Sequence, residues 1–158
     1  MIIKKTVLLI ALICPTIVAA NTGKEHVFSN LVEDKEFTQA LIEFENRVEV
    51  CTTLLKENKS PFPTTSWFSS LNDSDQKTVI LYLSHSNSSN CSQSERERAQ
   101  ALLGNLTEEE RNRVSHLLVD VEFPDTNNLN MVRVNELQKL YPEPFDLISV
   151  VKDLGLID

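Results

Sequence analysis

The sequence predicts an all-α fold: a compact array of five or six helices forming a single helical domain over residues 21–158, behind a cleaved signal peptide at residues 1–20. Three observations carry this. Apolar residues recur at steps of three and four, Ser, Thr and Asn stand where helix caps are needed, and only three glycines occur with no sustained two-residue alternation, so a sheet has little material. No period of 20 to 50 residues repeats, which leaves a solenoid without support.

Residues 1–20 read as a secretory signal. Lys4 and Lys5 precede the apolar run from Val7 to Ile13, and Val18-Ala19-Ala20 offers small residues for cleavage. The run is shorter than the roughly 20 apolar residues of a spanning helix and is interrupted by Pro15, which argues against an anchor. Cys14 follows Ile13, where a lipoprotein signal peptidase wants a small side chain, which argues against lipidation. The expected address is export: periplasmic if the source is bacterial, otherwise extracellular. Cleavage removes two lysines and no acidic residue, leaving 13 basic against 23 acidic side chains, a net charge of −10. This balance argues against nucleic acid and anionic membrane surfaces, which require clustered Lys and Arg.

Cleavage also leaves Cys51 and Cys91 as the sole cysteines. Two cysteines in an exported chain admit one intramolecular disulfide, and an oxidising compartment would keep it. Closing a loop of about 40 residues destabilises the unfolded chain by roughly 4 kcal/mol. No C-x-x-C spacing suggests a redox-active pair.

The first helix is expected from Asp34 to Glu57, where Phe37, Leu41, Phe44, Val48, Cys51 and Leu55 fall on one face and point the Cys51 thiol at the core. Lys59 to Ser70, with Pro61, Pro63 and a run of Ser and Thr, reads as an irregular connection carrying Phe62, Trp67 and Phe68. A second helix is capped by Asn72 with Asp75; its apolar body from Val79 to Leu83 also admits a short strand, and its polar exit at Ser84-His85-Ser86 suits a helix. Ser86 to Asn90 is Ser and Asn alone and reads as a turn that delivers Cys91 to the next helix.

Two capping boxes follow, Ser92 with Glu95 and Thr107 with Glu110. The helix opened by Ser92 is expected to run to Leu103 and close at Gly104; the next is expected to bury Val114, Leu117, Leu118 and Val121 and stop before Pro124. After the turn-rich stretch from Asp125 to Asn130 come a helix from about Val132 to Leu140, with Met131 to Val134 as a rival strand, and a last helix opened by Pro144, lined by Phe145, Ile148, Val151 and Leu154, and closed by Gly155.

The chemical motifs are largely negative. His26, His85 and His116 have no i, i+4 partner and no neighbouring cysteine pair, so no metal site is assigned. No G-x-S-x-G elbow or phosphate loop is present, Asp73 and Asp75 lack the glycine and glutamate of an EF-hand, and Ser84-His85 and Ser115-His116 are mere sequence neighbours. Glu108, Glu109 and Glu110 fit the acidic first turn of a helix better than a catalytic pair, as do Glu33, Asp34 and Glu36. No catalytic residue and no cofactor is assigned.

Five Asn-x-Ser/Thr triplets begin at Asn58, Asn72, Asn87, Asn90 and Asn105, against about two expected from composition. They signify glycosylation in a eukaryotic secretory protein and nothing in a bacterial one, which the short Lys-Lys signal favours. Phe62, Trp67 and Phe68 either fold back over the bundle or anchor a partner, as does the cluster Tyr141-Pro142-Glu143-Pro144-Phe145. The expected function is an exported, non-enzymatic interaction protein, such as an accessory, adaptor or immunity-type inhibitor, that meets another protein through its acidic helical surface. A small helical carrier of an apolar ligand and an enzyme with an unfamiliar site are the alternatives.

Overall fold

The computed structural model describes residues 28, 30–119 and 122–157; residues 1–20, where the sequence predicts a signal peptide, lie outside the described residues, as do His26 and Val121. Among the described residues the fold is all-α, with seven α-helices: α1 Lys35–Glu57, α2 Ser66–Ser69, α3 Asp73–Cys91, α4 Gln93–Leu102, α5 Glu108–Val114, α6 Met131–Leu140 and α7 Leu147–Asp153. Two 3-10 turns, Leu103–Asn105 and Ser115–Leu118, extend α4 and α5. Neither strand alternative forms.

The apolar residues gather in two clusters. One joins Phe37, Ala40 and Leu41 of α1 to Ala99 of α4 and to Leu106, Val114 and Leu118 around α5. The other joins Phe62 and Phe68 to Val79, Ile80 and Leu83 of α3, Val134 and Leu137 of α6, and Phe145, Val150 and Val151 around α7. Between them the Cys51–Cys91 disulfide ties α1 to the end of α3, with Cα atoms 6.0 Å apart. The Arg47 Nε donates to the Cys91 carbonyl at 2.7 Å beside it. Cys51 is buried, as its place on the apolar face predicts. Val48, on the same predicted face, is 38% exposed, because the second half of α1 extends past the first cluster.

The helix count exceeds five or six because the connection after α1 contains a turn of its own. Thr65 accepts from the Phe68 amide and opens α2, a four-residue helix within the stretch expected to be irregular. α3 is capped by Asn72, as expected, but does not end at Ser86. Ser and Asn are poor interior helix residues; here tertiary partners override that preference. The Asn87 Nδ2 donates to the carbonyls of Tyr141 at 2.7 Å and Glu143 at 3.1 Å, and the Gln138 Nε2 donates to the Ser86 Oγ and the Asn87 Oδ1. The expected turn from Ser86 to Asn90 is therefore helix, and Cys91 closes α3 instead of opening α4.

That extension removes the first capping box. Ser92 sits between abutting helices at φ −116°, ψ 11°, outside the extended region of an N-cap, and its side chain makes no capping bond. The second box is complete at Thr107 and Glu110. Gly104 lies in a 3-10 turn and takes no positive φ, whereas Gly155 at φ 67° closes the last helix in the left-handed conformation. α7 opens at Asp146, whose carboxylate accepts from the Ile148 and Ser149 amides, not at Pro144. Those two bonds hold the Asp146 carboxyl below its ordinary value, the Ser149 amide first. α5 ends at Val114 and tightens into 3-10 geometry, leaving Leu117 at the surface.

Candidate functional site

The three aromatics of the connection after α1 divide between core and surface. Phe62 packs on Phe68, Tyr141 and Phe145, with ring centroids 5.2, 5.3 and 6.0 Å away. The Tyr141 hydroxyl fastens this group by donating to the Ser60 carbonyl at 2.8 Å, and burial pushes its pKa upward. Phe62 and Phe68 are thus buried structural residues. Trp67 precedes Phe68 on a single helical turn, so its side chain leaves at a different angle and stays half-buried.

Trp67 borders a groove of about 150 Å³ between α2 and α6, lined also by Arg133, Glu136, Leu137 and Leu140. Positions 133, 136, 137 and 140 share one helical face by their three- and four-residue spacing. Leu137 is buried and forms the floor, while Leu140 is 63% exposed. Arg133 and Glu136 pair at 2.9 Å on the rim, both side chains open to solvent. The Trp67 indole makes no hydrogen bond to another described residue. An apolar body and a free N–H donor at a partly wet site is the arrangement by which tryptophan anchors interfaces.

The acidic residues serve the fold. The Glu110 carboxylate accepts from the Glu33 amide at 2.8 Å, the Thr107 amide at 3.0 Å and the Thr107 hydroxyl at 2.7 Å. These donors, the Glu33 amide foremost, hold its carboxyl below the ordinary value. Glu110 therefore closes the cap of α5 and ties it to the segment just before α1. An open depression of about 530 Å³ lies beside it, lined also by Glu33, Asp34, Asn105, Thr107, Glu109 and Arg113.

His116 is exposed and His85 is half-buried against Phe123, with ring centroids 6.2 Å apart. The His85 Nδ1 is buried and has no hydrogen-bond partner among the described residues. No group of three His, Cys, Asp or Glu side chains among the described residues is placed to hold a metal ion. No described helix is long and apolar enough to cross a membrane. No protein-family model, no curated protein and no solved structure matches this chain.

The sequence located Trp67 but not its surroundings. The face formed by Arg133, Glu136, Leu137 and Leu140 is legible from helical spacing, yet nothing in the sequence says that α2 lies across it.

Proposed function

We propose that this chain is an exported, non-enzymatic protein that docks another protein on its helical surface, with the Trp67 groove as anchor. The observation that carries this is Trp67, partly buried against the aromatic cluster, bordering a groove beside the solvent-facing Leu140 and over the buried Leu137. The occupant is an apolar side chain of the partner, flanked by basic residues that complement an acidic chain. The disulfide supports the exported half of the proposal, since such bonds persist in oxidising compartments. The acidic balance disfavours nucleic acid and anionic membranes as partners.

Affinity capture from the native compartment, with wild-type and Trp67→Ala protein as baits, tests this. A defined protein should be retained by the wild type and bound roughly 30-fold more weakly by the variant, the loss of about 2 kcal/mol that marks an interface anchor. Equal capture by a folded variant would overturn the groove. A small molecule co-purifying in native mass spectrometry, with no protein retained, would replace this function with that of a carrier.

A further inference from the structure

Five sequons occur in one short chain, and the structure separates them by the state of their carboxamides. Asn87 is 1% exposed and donates to two carbonyls of the turn after α6. Asn58 donates to the Pro144 carbonyl at 3.1 Å and accepts from the Ser60 amide at 3.0 Å. Asn72 is engaged at both ends by Asp75, accepting from its amide at 2.9 Å and donating to its carboxylate at 2.8 Å. Asn90 and Asn105 differ from all three. Both are exposed, and neither side chain makes a hydrogen bond among the described residues.

We infer that Asn105 and Asn90 are modification sites that carry asparagine-linked oligosaccharides. This rests on the exported function proposed above, by a route that passes a membrane-bound oligosaccharyltransferase. In the transfer, the Asn Nδ2 attacks C1 of the first sugar of a lipid-linked oligosaccharyl pyrophosphate. A C1–N bond forms, the C1–O bond to pyrophosphate breaks, Nδ2 gives up one proton, and the lipid pyrophosphate leaves. The transferase acts on the extended chain, so folding afterwards decides which products survive. A glycan at Asn87 would stand where Tyr141 and Glu143 pack, and would stop α3 from docking on the turn after α6. At Asn105 the glycan leaves from the 3-10 turn Leu103–Asn105, with no side-chain bond to give up. Thr107 supplies the sequon hydroxyl there and also caps α5.

The test uses protein from its natural source, digested and released with a glycosidase in heavy-oxygen water, which converts each occupied Asn to a labelled Asp. Label at Asn105 and Asn90, with none at Asn87, is the expected result. A mature N-terminus beyond residue 20 with unlabelled Asn105 would overturn the glycan assignment and leave export standing. An N-terminus at Met1 with no label overturns both. Label at Asn87 in folded, monodisperse protein would overturn the structural sorting. In a secretory eukaryotic host, Asn105→Gln should lose one glycan's mass with an unchanged melt, and Thr107→Ser should retain it; an Asn105→Gln product of unchanged glycan content also overturns the assignment.

Discussion

Adjacent side chains in this protein differ sharply in what they do. Phe68 and Trp67 are neighbours on α2, yet one fills the aromatic cluster and the other packs against its edge and borders a groove. Phe68→Ala should destabilise the fold by about 3–5 kcal/mol in denaturant titration, the range for truncating a buried aromatic side chain. Trp67→Ala should cost well under that, and a loss as large would assign Trp67 to packing. Asn87 is the polar counterpart of Phe68. Asn87→Ala leaves the buried Tyr141 carbonyl and the part-buried Glu143 carbonyl without their donor and should cost about 1–3 kcal/mol. Glu110 gives a pH signature of known sign. Its folded pKa lies below the ordinary 4.5, so its contribution is complete above that value and is lost as pH falls through the lowered one. Glu110→Gln should flatten the acid limb of a pH-dependent stability curve, and an unchanged limb would separate this carboxylate from acid unfolding.

Helix boundaries here follow the partners of capping groups more than the capping residues themselves. Ser92 and Thr107 head the same S/T-x-x-E pattern, and one of them caps. Thr107→Ala should therefore destabilise by about 1 kcal/mol in thermal or chemical unfolding, while Ser92→Ala should fall nearer the few tenths expected without a capping bond. Equal losses would show that the two boxes are equivalent in solution. The contrast arises from α3, whose Ser- and Asn-rich end is kept helical by Gln138 and by the carbonyls of Tyr141 and Glu143. Once α3 reaches Cys91, Ser92 has no room to adopt cap geometry.

At the scale of the molecule, two apolar clusters stand on different helices, one on α1 and the other on α3, with the disulfide joining those helices between them. Reduction should lower stability by about 4 kcal/mol, from the entropy returned to a loop of 40 residues. Hydrogen exchange on the reduced protein should show faster opening in the second half of α1, beyond the first cluster, than in its first half. Uniform acceleration along α1 would show that the disulfide acts on the fold as one unit. Much of this architecture was legible in the chain. The three- and four-residue spacing determined that the fold is helical and that Cys51 faces inward, because apolar residues on one helix face must be buried together. Asn72, Thr107 and Gly155 marked true ends, because caps and the left-handed glycine act within one turn. Tertiary structure alone decided the length of α3, the silence of Ser92, the parting of Phe68 from Trp67, and the engagement of Asn87. Each of those depends on a partner some 50 or more residues away or on an abutting helix, and local sequence carries no term for a hydrogen bond or a packing contact supplied from that far along the chain.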